Sequence, residues 1–196
     1  MYFSKIAVVL SVAVSALALP ALEAPKQKRA GVLTVQDYAD FQVSDGVAGN
    51  ALAEVQANFP VSISAIRLYS LQRVLTLKQI DENDLANVDP DDLDIIKAAR
   101  VTAEAAETDA GGFNDAIDAA GDGAAADALQ VGKIKNKVLK LKLEVLALQI
   151  DQAVNGNDNS AKIDEETTKL NKNIQLDEDA AGETSQSVDF TGDDSP

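Results

Sequence analysis

Between Val131 and Ile150 apolar residues recur in steps of three and four: Val131, Ile134, Val138, Leu141, Val145 and Leu148. That period places them on one face of a helix. Leu139, Leu143, Leu146 and Ile150 widen the stripe beyond a simple coiled-coil seam. A helix with so broad an apolar face has to be covered from several sides. The expected fold class is therefore all-α, a helical bundle of about four main helices with the Ile134 to Ile150 helix at its centre. Lys133, Lys135, Lys137, Lys140 and Lys142 decorate the first half of this helix. A basic contact site is one reading of them. The better one is that their aliphatic stems lie along the apolar face while their charges offset acidic neighbours.

The partners of this helix are legible to different degrees. Asp89-Pro90-Asp91-Asp92 is a helix start: a capping carboxylate, a proline where the missing N–H costs nothing, and acidic groups at the positive end of the dipole. The helix is predicted from Pro90 to about Asp109, with Leu93, Ile96, Ala99, Ala103 and Ala106 on a small-residue inner face that lets a neighbour approach closely. A short helix is expected over Phe113 to Ala120. Ile163, Thr167, Leu170 and Ile174 mark a last, outer helix that follows a polar connector at Asn155 to Asn159 and fades near Ala181. Upstream, Tyr38, Phe41, Ala48, Leu52, Val55 and Phe59 predict one helix from Val35 to Asn58, with Gly46 and Gly49 marking a kink or a close backbone contact. Residues 182–196 are polar and acidic and predict a disordered tail.

Composition narrows the chemistry. Aromatics are 4% of the chain and Trp is absent, so Ala, Val, Leu and Ile must build the core. A formal charge of -15 argues against nucleic acid and against anionic membrane surfaces as partners, since both are bound through Lys and Arg. There is no Cys, so neither a disulfide framework nor thiol chemistry exists, and no His, the commonest general base and metal ligand. No enzyme activity and no cofactor are expected.

The start of the chain has the form of an export leader. Met1 to Lys5 is positive, Ile6 to Leu19 is apolar apart from serines, and Ala16-Leu17-Ala18 supplies a small-x-small cleavage pattern. Residues 1–18 are read as a signal peptide cut after Ala18. The apolar run is shorter than a bilayer-spanning helix, and Pro20 ends it, so no stable membrane anchor is expected. Residues 19–29 form a pro-segment ending in the dibasic pair Lys28-Arg29, after which the helical domain, 30–181, begins at Ala30. The protein is thus expected to be secreted and extracellular. No Asn-x-Ser/Thr acceptor occurs, so N-glycosylation is not part of its chemistry.

Two polar clusters have compositions that a metal site could use. Asn155, Asn157, Asn159 and Glu166 fall at positions 1, 3, 5 and 12 of a calcium-loop spacing, but Asn replaces Asp at the first, Ser160 stands where glycine is needed and Lys162 where an apolar residue is needed. A plain interhelical turn is expected. Asp81, Glu82, Asp84, Asp89, Asp91, Asp92 and Asp94 crowd a helix start, where capping accounts for most of them. Neither cluster predicts metal binding or acid-base chemistry.

Three stretches, Tyr38 to Glu54, Ala110-Gly-Gly-Phe-Asn-Asp-Ala-Ile117 and Leu129-Gln-Val-Gly-Lys-Ile-Lys-Asn-Lys-Val-Leu-Lys-Leu141, resemble a family of fungal small secreted proteins that is itself uncharacterised. The resemblance runs from about Leu33 to Phe190. It implies an extracellular location and a fungal source, and it carries no catalytic residues. A looser likeness is to fungal hydrophobic-surface-binding and cell-wall mannoprotein domains. Residues 61–79 do not fit that pattern. In a very acidic chain they contain no Asp or Glu but do contain Arg67, Arg73 and Lys78, and their apolar positions scatter round the helical wheel. The codons permit GTGAGT at Val61-Ser62, CTAAC at Leu75-Thr76 and CAG at Gln79, so the stretch reads as a translated intron that keeps the frame, the alternative being a genuine loop or buried segment.

The function expected from these features is that of a secreted non-enzymatic protein acting at the cell surface or host interface, a candidate effector or wall-associated protein with an unknown protein or cell-surface partner. The alternative is an extracellular carrier holding a lipid or other apolar ligand between its helices.

Overall fold

The computed structural model describes residues 31–62 and 80–196. In chain order its elements are α1 (Tyr38–Phe41), β1 (Gly46–Val47), α2 (Ala51–Asn58), β2 (Val61–Ser62), β3 (Ile80–Asp81), a 3-10 turn at Leu85–Asn87, α3 (Pro90–Thr108), α4 (Phe113–Ala120), α5 (Ala124–Asn155), α6 (Ser160–Asp179) and β4 (Thr184–Ser185). Residues 1–18 and 19–29, expected to be a signal peptide and a pro-segment, lie outside the described residues, as do Ala30 and residues 63–79.

The fold is the expected all-α bundle. The 32 residues of α5 span about 48 Å at 1.5 Å per residue, and α2, α3, α4 and α6 all pack on it. Val138, Leu139, Leu141, Leu143, Val145, Leu146 and Ile150 are buried along its length. Ala99, Ala103 and Ala106 of α3 are fully buried in the same cluster, as the small-residue face predicts. Asp89 caps α3 through the Asp91 N–H at 3.0 Å, with Pro90 at the first helical position. The α5 helix ends where Gly156 takes the left-handed conformation, φ 70°.

Two polar residues interrupt the apolar middle of α5. Asn136 is fully buried, donates to the Ala103 carbonyl oxygen of α3 at 2.7 Å and accepts from the Tyr38 hydroxyl at 2.9 Å. Burial pushes that hydroxyl up to about 12. The adjacent Lys135 is equally buried. Its ammonium pairs with Glu54 of α2 at 2.8 Å and donates to the carbonyl oxygens of Asp45 and Val47 at 2.8 and 3.1 Å. The other α5 lysines behave as snorkelling charges: Lys140 meets Glu107 at 2.6 Å, Lys142 meets Glu82 at 2.7 Å, and Lys133 donates to Asn114 at 2.6 Å.

Two sequence expectations are corrected. The single helix expected from Val35 to Asn58 is broken into α1 and α2. Gly46 and Gly49 adopt φ of 88° and 110°, β1 pairs antiparallel with β4, and a Cβ on Gly49 would stand 2.9 Å from that of Ala181. Asp177 of α6 then caps α2, accepting from the N–H groups of Gly49 at 3.0 Å and Ala51 at 2.8 Å.

The tail expected to be disordered is also fastened along its length. Beyond β4, the Gln186 N–H reaches the Ala128 carbonyl oxygen at 3.0 Å, and Asp193 bridges Asp37. Phe190 stands edge-on to Tyr38, with ring centroids 5.8 Å apart, and so joins a row that continues through Phe41 to Phe59. Asp194 is fully buried. One of its oxygens accepts from the Gln36 N–H, while the other has no donor among the described residues.

Gly132 is where the tail crosses α5, and a Cβ there would stand 2.0 Å from the Gln186 carbonyl oxygen. Gly132→Ala is expected to cost about 1–3 kcal/mol and to speed amide exchange selectively in residues 184–194, measurable by thermal melts and hydrogen exchange. Burial, reinforced by the neighbouring Asp193, raises the Asp194 carboxyl above its ordinary value against the Gln36 hydrogen bond. Its contribution is then full below the unfolded carboxylate value and lost as pH rises through the raised one. Corrected exchange at Tyr38 and Asp194 should accelerate over that rise in the parent but not in Asp194→Asn.

Candidate functional site

Both α3 and α6 lie against α5, leaving a furrow between them. Its floor is Leu141, Glu144, Ala147, Leu148 and Asp151 of α5; Lys97, Arg100, Val101 and Glu104 of α3 form one wall, and Lys162, Glu166 and Lys169 of α6 the other. Two clefts of about 300 and 360 Å³ meet at Arg100 and Glu144. The furrow exists because the outward side of α5 stays apolar near its C-terminal end while α6, with its thin stripe of Ile163, Leu170 and Ile174, covers only part of it.

The border of the furrow is a set of paired charges. Arg100 meets Glu104 at 2.7 Å and Glu144 at 2.9 Å. Across the furrow Glu166, only 8% exposed, meets Lys162 at 2.6 Å and Lys169 at 3.1 Å, and Lys169 also reaches Glu165 at 2.6 Å. Burial alone would raise Glu166, but hydrogen bonds from the two lysines carry its carboxyl below the ordinary range. The same pairing raises Lys162 and Lys169. In the cleft that Lys97, Arg100, Glu144 and Asp151 line stand the apolar Val101, 53% exposed, and the half-buried Leu148, with the buried Ala147 beneath. Such a surface suits contact with another molecule, its charges already neutralised and its apolar Val101 in reach of solvent.

One end of the furrow is closed by Asp151. Its carboxylate accepts from the side-chain amides of Asn155 at 2.7 Å, Asn157 at 2.8 Å and Asn159 at 2.9 Å, and the hydrogen bonds, that of Asn157 foremost, lower its carboxyl to about 2. The three asparagines of the rejected calcium spacing thus serve as donors to a carboxylate in the α5–α6 turn, and Glu166 faces lysines instead of joining them. Among the described residues no group of His, Cys, Asp or Glu is arranged to hold a metal ion.

The acidic run before α3 is likewise structural where it is described. Asp89 caps, and the buried Asp92 accepts from the N–H groups of Val32 and Leu33, both at 2.8 Å, tying the incoming chain to the helix start. Burial raises its carboxyl, against those two N–H groups and with the neighbouring Asp89 and Asp91. Ala18, Lys28 and Arg29, expected from the sequence to be processing positions, lie outside the described residues. The furrow itself was not read from the sequence. Its only signal there is the thinness of the α6 stripe beside the breadth of the α5 stripe.

These elements define a cysteine-free all-α bundle with an ion-paired, apolar-floored surface furrow. The chain belongs to the family described as Domain of unknown function (DUF8454), whose model matches residues 33–189, almost the span over which the sequence resemblance runs. Neither a curated protein nor a solved structure matches it. Among the described residues no helix is long and apolar enough to cross a membrane.

The Asp151 cluster makes a direct pH prediction. A carboxyl held low contributes stability above its unfolded value, about 3.9, that is lost as pH falls through about 2. A carboxyl-resolved NMR titration should find the Asp151 midpoint near 2, and Asn157→Ala should move it upward towards the ordinary value.

Proposed function

We propose that this protein is secreted by a fungus and acts without catalysis at the cell surface or host interface, through protein contacts made by the α3–α5–α6 furrow. The carrying observation is the exposed Val101 beside the Arg100–Glu144 pair, with the Lys162–Glu166 pair in the adjoining cleft: a partner covering this surface gains apolar burial while meeting charges that are already paired. The leader, the dibasic pair Lys28-Arg29 and the absence of Cys and His support export and a binding role. Support for the carrier alternative is weaker. The middle of the bundle is occupied by Tyr38, Lys135, Asn136 and the alanines of α3, and the furrow opens to solvent.

The test begins with the full precursor expressed in a fungal secretory host. The protein recovered from the medium is expected to begin at Ala30; retention in the cell overturns the extracellular reading. Labelled protein should then bind intact cell surfaces saturably, and Val101→Glu combined with Leu148→Lys should weaken that binding about tenfold or more with little change in melting temperature. Equal binding by parent and variant removes the furrow as the contact surface. A clear rise in melting temperature on adding a fatty acid would favour the carrier instead.

A further inference from the structure

The chain leaves the body after Phe59, which is 1% exposed, and re-enters it at Ile80, which is 3% exposed; both side chains belong to the same core cluster. At this junction β2 and β3 lie side by side and parallel, Val61 opposite Ile80 and Ser62 opposite Asp81. The Ile80 N–H donates to the Pro60 carbonyl oxygen at 2.9 Å. A chain that departs and returns on a parallel track comes back with the heading it had on leaving, displaced sideways by about one strand spacing, ~4.8 Å. Everything between is an excursion with almost no net displacement.

Parallel neighbours require a long connection, and the sequence between Ser62 and Ile80 contains no acidic group. A two-residue ladder gives little reason to have built one. Downstream of Ile80 the 3-10 turn at Leu85–Asn87 and the Asp89 cap lead directly into α3, and Lys142 of α5 reaches back to Glu82 at 2.7 Å. Upstream, Phe59 closes the aromatic row. Joining Pro60 to Ile80 asks the Pro60 carbonyl carbon and the Ile80 nitrogen to close from roughly 4 Å, as a hydrogen bond implies, to a bond of about 1.33 Å. A shift of that size is within reach of two loop residues.

We propose that residues 61–79 are an insertion into a fold that is complete without them, and that they are encoded by an intron of 57 nucleotides whose removal joins Pro60 to Ile80 in frame. The close approach of Pro60 and Ile80 falls at the boundaries where splice-site codons are permitted. The shorter chain is the form whose core path is continuous, and it is the more acidic of the two, since Arg67, Arg73 and Lys78 leave with the segment.

The experiment compares the full chain with the full chain lacking Val61–Gln79, and sequences transcripts across the junction. The deletion variant should unfold cooperatively at a temperature no more than about 4 °C below the parent. Amide exchange should protect Asn87 and Val88, whose N–H groups bond within the turn, equally in both forms, and spliced messages lacking the 57 nucleotides should be found. Loss of cooperative unfolding, or loss of protection at Asn87 and Val88, means that the segment completes the core and overturns the proposal. Transcripts that all retain the 57 nucleotides overturn the intron assignment.

Discussion

The arrangement of this bundle depends on two adjacent side chains in the middle of its longest helix. A helix that is apolar on most of its circumference can be covered in many rotations, since hydrophobic burial has no direction. Lys135 and Asn136 remove that freedom. A buried ammonium must find acceptors and a buried amide must find partners, or each costs more than the burial around it returns. Among the described residues Lys135 is satisfied by Glu54 and the carbonyl oxygens of Asp45 and Val47, which fixes α2 and the segment before it on one side. Asn136 is satisfied there by Ala103 and Tyr38, which fixes α3 and α1 on the other. The apolar stripe provides the driving force, and this polar pair provides the rotation and the register.

The same economy governs the surface. Although the chain carries an excess of acid, several of its described cations are paired: Lys140 leans on Glu107 of α3 and Arg100 on Glu144 of α5, while Lys162 and Lys169 meet glutamates of their own helix α6, and the densest pairing borders the furrow between α3 and α6. Exposed pairs of this kind add little stability. Their effect is on what meets the surface. A border with its charges already matched presents a fixed pattern, and Val101 beside it stays open because α6 is too polar to lie across it.

Most of the helical architecture was legible in the sequence, and the reasons are local. The Asp89-Pro90 cap places the start of α3; the Gly111-Gly112 and Gly121-Asp122-Gly123 turns bracket α4; the three- and four-residue steps identify α5 and α6. What was not legible depends on contacts between residues far apart in the chain. The break between α1 and α2 is held by Asp177 and by Ala181 against Gly49, more than 120 positions away. The tail reads as loose by composition, yet its order comes mainly from backbone pairing, which side-chain composition does not report, and from Phe190 meeting Tyr38. The furrow was hidden for the same reason. A gap between two helices has no sequence pattern of its own, and only the unequal widths of the α5 and α6 stripes hint at it.

The pairing of Asp37 with Asp193 sets Gln36 beside Asp194, so the leading and trailing segments of the described body lie against each other instead of at opposite poles. They run antiparallel there. A force pulling the two ends apart therefore loads these hydrogen bonds one after another, as in opening a zipper, and peels Phe190 from Tyr38 before any strain reaches the long helix. Mechanically the molecule has a soft clasp in series with a stiff body. If such a protein is tethered at both ends between two surfaces, the clasp yields first and the helical bundle keeps its shape.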